Sequence, residues 1–291
     1  MEIKRPLPSF GTPEVIKMRS ALTFWFAIGV LGLPCTPSAQ AEFMELVHVG
    51  NVGNAPDTTG YGAVRYPYRI GKFEVTNSQY VDFLNSVATK SDPNGLYSSP
   101  METSLNGGII RIDQGARYSY VVKDGFGSKP VDWVSFYDSV RFVNWLHNDR
   151  PVGEQSTSTT EDGAYTITPE SVDNYTLVRN HNARFFIPNE NEWYKAAYYN
   201  ALTDDGSYWL YPTQSNDRPS LILPPGPPNS VNHGLDDRVV TEVGEYDTSP
   251  GPYGTFGQGG NVWECPDFAL LLGSGSRPPR QLAWQEPKFE S

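Results

Sequence analysis

The sequence predicts an irregular, loop-rich α+β domain, and three features of its composition and patterning lead to this class. The 291 residues include 27 glycines and 25 prolines, a larger share of both than is usual. Aromatic residues make up 13% of the chain and charged residues only 19%, the reverse of the balance in disordered proteins. Three helical patterns stand within strand and loop sequence, without the strand–helix alternation that predicts a parallel sheet.

Residues 68–75 predict the first strand, since aromatic and β-branched residues surround a glycine suited to a bend. We expect Glu74, near its end, to be solvated. Thr76-Asn77 follows as a helix cap, and the apolar residues after it recur at helical spacing. The residues on this stripe are Tyr80, Phe83, Leu84 and Val87.

The second predicted helix begins after Ser135, which has Asp138 three residues later as in a capping box. Its apolar stripe ends near His147-Asn148. The members of the stripe are Phe136, Val140, Val143 and Leu146, widened by Phe142 and Trp145. Beyond the helix, residues 153–163 and the Pro-rich residues 219–228 predict exposed loops.

The third predicted helix opens at residues 189–192. Trp193 and two alanines lie on one face, so we expect Trp193 in the core. Glu190 and Glu192 stand in the first turn, where the free N–H groups favour carboxylates. We therefore interpret them as structural carboxylates, not as an acid/base pair.

The net charge of −11 limits the classes of partner. Nucleic acids and anionic membranes are bound through basic patches, and the sequence contains no evident basic cluster. We therefore expect neither of them as the main partner, and predict an unidentified ligand or protein instead.

The N-terminal residues are typical of a secretory signal peptide. Residues 21–33 are uncharged and largely apolar, Lys17 and Arg19 precede them, and Ala-Gln-Ala at 39–41 matches a cleavage site. A membrane-spanning helix needs about 20 residues, more than this run offers; a buried core helix is the alternative. The sequence thus predicts export, cleavage after Ala41 and no integral membrane segment in the mature chain.

A second methionine, Met18, stands at the start of this signal, so we interpret residues 1–17 as an artefact of an upstream start site and residues 18–41 as the signal peptide. Cleavage removes Cys35 and leaves Cys265 as the one thiol. The mature chain can then form neither an internal disulfide nor a two-thiol active site.

Five sequence blocks, taken in order, resemble a known family. They are GKFEVTNSQY at 71–80, PVDWVSFYD at 130–138, FFIPNENEW at 185–193, YWLYPT at 208–213 and GGNVWE at 259–264. Together they resemble the formylglycine-generating enzymes, also called sulfatase-modifying factors. The resemblance covers residues 43–264 and implies that family's fold, a relative of the C-type lectins with little regular secondary structure.

The last block implies a calcium site by resemblance. In the family this stretch wraps a calcium ion, and the matching groups here are the carbonyls of Gly260 and Val262 and the carboxylate of Glu264. Calcium accepts about six to eight oxygen ligands, backbone carbonyls included. The family's remaining side-chain ligand falls on Gly257, which has none to offer, so that water would have to replace it at lower affinity.

A second calcium site of the family would fall near Asn232, together with Asp236 or Asp237. The four histidines lie far apart and show no metal-binding spacing such as H-x-x-x-H, so we expect each to be an ordinary surface or core residue.

Catalysis in the family depends on two cysteines downstream of the last block. They bind copper(I), which prefers thiolates, and oxygen oxidises a substrate cysteine to formylglycine. Here residues 265–291 match nothing in the family, and Cys265 comes too early to be either cysteine. We expect that the C-terminal part of the domain is missing or frame-disrupted. One possible choice of codons for residues 277–282, when read in another frame, encodes a sequence close to a strand of the family.

These expectations favour an exported sulfatase-modifying-factor-like domain that is non-catalytic as written, has an unidentified ligand and holds calcium as a structural ion. The alternative is a formylglycine-generating oxidoreductase whose catalytic cysteine segment is lost from this sequence. A third interpretation is a branch of the family with other chemistry that uses no copper thiols. Whether the chain is an enzyme therefore stays open.

Overall fold

The computed structural model describes residues 43–174, 176–203, 205–233 and 239–262, together with Glu264. The predicted signal peptide, the residues before it and the tail from Cys265 onward lie outside the described residues. So do Cys35, Asp236 and Asp237.

Strands in the described part of the chain form two antiparallel hairpins. In the first, β1 (Leu46–Val49) pairs with β2 (Tyr68–Gly71). The strand predicted at 68–75 is therefore shorter than expected and ends at Gly71. The backbone folds back at this point, since a β-carbon added at Gly71 would lie 2.9 Å from the carbonyl oxygen of Phe73.

Helix α1 (Asn77–Val87) begins where the sequence predicts. The hydroxyl of Thr76 accepts the backbone N–H of Gln79, whose side chain in turn accepts the backbone N–H of Thr76. The predicted apolar stripe faces the core, with Phe83 and Leu84 fully buried.

A short helix, α2 (Pro100–Thr103), leads into the second hairpin, in which β3 (Ile109–Asp113) pairs with β4 (Tyr118–Val122). The sequence does not predict this hairpin. Each strand has five residues, and Ile109 is the one buried residue of β3, so the alternation of apolar and polar side chains is weak.

Helix α3 (Phe136–His147) confirms the second helical pattern. Ser135 and Asp138 form the predicted capping box, and Asn148 is the C-cap. The short helix α4 (Pro169–Asp173) follows, and the sequence does not predict it.

The core forms around aromatic rings shared by α1 and α3. The ring centroid of Phe83 lies 5.4 Å from that of Phe142 and 5.3 Å from that of Trp145. Tyr80 packs on the same ring at 5.4 Å, and its hydroxyl donates to the carbonyl of Leu96 at 3.0 Å. Burial of each large ring contributes about 1.5–3 kcal/mol, so this cluster holds the two helices together.

Residues 153–163 form a loop, but the expectation that it is exposed is wrong for part of it. Thr159 and Thr160 are buried. The side-chain amide of Asn148 donates to the carbonyl of Thr159 at 3.1 Å, and that of Asn144 donates to the carbonyl of Thr160 at 2.8 Å. Polar residues can enter the interior in this way when their backbone groups are paired.

The described elements define an α+β class of short helices, two hairpins and long loops. The Pro-rich residues 219–228 are such a loop and expose apolar side chains, Leu223 most of all, as predicted. Among the described residues, no helix has the length and apolar character that crossing a bilayer requires.

Candidate functional site

Helix α5 (Glu190–Tyr198) borders the candidate site, and one of its residues, Trp193, does not lie where the sequence predicts. Asn189 caps it as predicted, with its backbone N–H donating to the carboxylate of Glu192 at 2.7 Å. Trp193, however, is half-buried and lines a cleft rather than the core. Its indole N–H donates to the carboxylate of Glu264, and this partner lies on the cleft side of the helix.

Glu192 is fully buried and forms a bidentate ion pair with Arg179. Two guanidinium nitrogens donate to its two carboxylate oxygens at 3.0 and 2.8 Å, and the hydroxyl of Tyr66 donates at 2.7 Å. The guanidinium also lies 3.9 Å above the ring centre of Phe186. The pair therefore joins helix α5 to the loop before it and stiffens one wall of the cleft.

The cleft has a volume of about 2090 Å³ and lies between the first hairpin, the segment before α3 and the loop before α5. On its wall, Tyr66 and Trp133 are 45% and 50% exposed. Trp133 has a φ of 65°, rare for so bulky a residue, and its indole N–H donates to the hydroxyl of Ser104 at 2.7 Å. The side chains of Tyr66 and Trp133 are thus presented to the cleft, and each is held by a hydrogen bond.

The loop 257–264, of which the structure describes residues 257–262 and Glu264, borders one side of the cleft beside the segment that follows β2. The ring of Phe256 stacks on that of Phe73, with centroids 5.6 Å apart. This packing places the carboxylate of Glu74 directly against Gly257, where an added β-carbon would lie 2.2 Å from Oε1. The expectation that Glu74 is solvated is therefore wrong.

Glu74 and Glu264 bring two carboxylates to this loop. Oε1 of Glu74 accepts the side-chain N–H of Asn261 at 3.1 Å, whereas its Oε2 is buried and has no hydrogen-bond partner among the described residues. Burial raises the pKa of both carboxyls, and the charge of Glu264 adds to this effect at Glu74, whose pKa rises to about 7. Ionisation of these two carboxyls is therefore disfavoured unless a positive charge lies close to them.

Asn261 connects the two segments for which the sequence predicts separate calcium sites. Its backbone N–H donates to the carbonyl of Asn232 at 2.8 Å, and its Oδ1 accepts the side-chain N–H of Asn232 at 3.2 Å. Gly260 approaches so closely that an added β-carbon would lie 2.5 Å from the same carbonyl oxygen. The carbonyl of Gly260 accepts the N–H of Val262 at 2.8 Å. The structure thus brings Asn232 together with the predicted loop.

A smaller cavity of about 40 Å³ adjoins this loop. Its wall includes Glu74, Asn232, Gly257, Gly260 and Asn261. A single water molecule needs roughly 10–15 Å³, so one small ion or water fits. Glu74 lines both this cavity and the large cleft.

The donors at the loop fit calcium, which takes carboxylate, amide and backbone carbonyl oxygens. No group of three or more His, Cys, Asp and Glu side chains occurs within the described ranges, so backbone oxygens would have to complete the shell. Copper(I) prefers thiolates, and the described residues contain no cysteine that could supply one.

The described residues thus form a loop-rich α+β domain with a wide cleft and an oxygen-rich loop at its rim. The family model described as "Sulfatase-modifying factor enzyme 1-like domain" matches residues 44–267. The chain belongs to this family, and the resemblance of the five blocks is confirmed. The curated proteins and the solved structures that were searched gave no match.

Proposed function

We propose that this chain is an exported, non-catalytic domain of the sulfatase-modifying factor family that binds a ligand or protein partner in its cleft. The observation that carries the proposal is the make-up of the cleft wall, whose described residues offer aromatic and charged side chains and no thiol. Rings held in place, such as those of Tyr66 and Trp133, bind planar or apolar groups at low entropic cost. The copper chemistry of the family needs thiolates, and the described residues of this wall include none.

Calcium is the ion that we propose for the loop 257–264. The carbonyls of Gly260 and Val262 and the carboxylate of Glu264 are the ligands that the family resemblance assigns. The bound ion would supply positive charge to the buried carboxylates and stabilise the rim of the cleft. Because Asn232 hydrogen-bonds to the same loop, we place it in the surroundings of this one ion.

The C-type-lectin-like fold and export are part of the same proposal. Few regular elements and long loops support the first, and the N-terminal sequence supports the second. N-terminal sequencing of the protein recovered from its producing cells tests export. We expect a chain that begins at Glu42, and an intact start at Met1 or Met18 would contradict the proposal.

The second candidate function is a formylglycine-generating oxidoreductase, and family membership is the observation that favours it. The two candidates differ in copper binding. Titration of the chain that begins at Glu42, which contains Cys265 and not Cys35, with copper(I) in competition with a coloured chelator should show no more than the weak binding of one thiol. The matched variant Cys265→Ser should then differ little. A tight site of the two-thiolate kind would overturn the non-catalytic proposal.

A further inference from the structure

The carboxylate of Glu74 occupies the space that a side chain at position 257 would need. A β-carbon at Gly257 would lie 2.2, 2.3 and 2.6 Å from Oε1, Cδ and Oε2 of Glu74. Gly257 also has a φ of +83°, which disfavours any other residue. Position 257 is where the family resemblance expects a side-chain ligand of calcium. A carboxylate from a distant part of the sequence therefore stands where that ligand is missing.

One carboxylate oxygen of Glu74 is free to bind a positive partner. Its Oε2 is buried and lacks any hydrogen-bond donor in the described part of the chain. The five ion pairs among the described residues do not include it. Leaving a buried carboxylate oxygen without a donor or cation is costly, and the cavity of about 40 Å³ beside it has room for an ion.

We propose that Glu74 is a ligand of the calcium ion held by the loop 257–264 and takes the coordination position that Gly257 leaves vacant. This inference rests on the calcium site of the proposed function and adds a residue to it. Glu74 follows the first hairpin by three residues, after Gly71. A bound ion would therefore link that hairpin to the loop at the rim of the cleft.

Calorimetric titration of the full chain with calcium chloride tests the inference, with Glu74→Gln as the variant and Glu170→Gln as the matched control. Glu170 is an exposed carboxylate on α4. We expect Glu74→Gln to weaken calcium binding at least about tenfold, since loss of groups that only support a ligand already costs 10–100-fold. The control should bind like the wild type.

Thermal unfolding with a chelator and with excess calcium provides a second readout. Glu74→Gln replaces a buried charged group by a neutral one of the same shape, so its Tm in chelator should equal or exceed that of the wild type. Calcium should raise the Tm of the wild type and not that of the variant. Equal calcium affinity for wild type and variant would overturn the role of Glu74 while the loop site stands. No calcium binding by the wild type would overturn the site itself.

Discussion

Two Arg–carboxylate pairs of equal length but different burial allow the wall of the cleft to be tested quantitatively. Arg179 and Glu192 approach to 2.8 Å, and their side chains are 21% and 0% exposed. Arg184 and Asp149 also approach to 2.8 Å, but their side chains are 49% and 62% exposed. Arg179→Met and Arg184→Met therefore remove the same group from two different environments.

The buried pair should be worth far more than the exposed one. Without Arg179, the carboxylate of Glu192 keeps only the hydroxyl of Tyr66 and the N–H of Asn189 as donors. Removing one partner of a buried pair costs about 3–5 kcal/mol, and the partial exposure of Arg179 favours the lower end, about 3 kcal/mol. The exposed pair should cost about 0–1 kcal/mol.

Urea unfolding, followed by tryptophan fluorescence, measures both costs as changes in the free energy of unfolding at constant m value. The double variant Arg179→Met with Glu192→Gln should recover part of the loss, because it no longer leaves a charge buried alone. Equal losses of less than about 1 kcal/mol for both arginine variants would refute this reasoning about burial.

Three further predictions concern the loop and the core. Gly257→Ala forces an alanine into φ +83° and places its β-carbon 2.2 Å from Glu74. The free energy of unfolding should therefore fall by at least about 1–2 kcal/mol, and calcium affinity should fall with it. An unchanged calcium affinity in calorimetry would count against the contact between Glu74 and position 257. In the absence of calcium, the free energy of unfolding should fall by on the order of 3 kcal/mol as the pH rises from about 4.5 to about 7. The reason is that the raised pKa of Glu74 lets the folded protein keep this proton up to a higher pH than the unfolded chain does. Glu74→Gln should flatten this profile, and a flat wild-type profile in urea titrations would disprove the effect. Asn144→Ala removes the buried amide that bonds to Thr160 and Tyr165, and should cost about 2–4 kcal/mol in the same assay; a loss below about 1 kcal/mol would show that these backbone groups find other partners.

The starts of all three predicted helices could be read from the sequence because their signals are local. Thr76, Ser135 and Asn189 each cap a helix and each bond to a residue three positions later. Such a capping box depends on four consecutive residues, so no knowledge of distant contacts is needed.

The site was less predictable because its members meet only through tertiary packing. Glu74 contacts Gly257 because Phe73 stacks on Phe256, and the sequence gives no sign of that pairing. Trp193 was expected in the core from helical spacing, but its hydrogen bond to Glu264 lies on the cleft side. Family resemblance pointed to the loop, whereas the contact of the Glu74 carboxylate with Gly257 is visible only in the folded chain.

We propose that this chain is a sulfatase-modifying-factor domain without the oxidase chemistry of its family. The most direct measurement incubates the purified 291-residue chain with copper(I), oxygen, a reductant and a cysteine-containing peptide, and follows aldehyde formation by mass spectrometry. A competent member of the family serves as the positive control. We predict no more aldehyde than in a mixture without the protein. Protein-dependent, copper-dependent conversion of the peptide cysteine to formylglycine would contradict the claim.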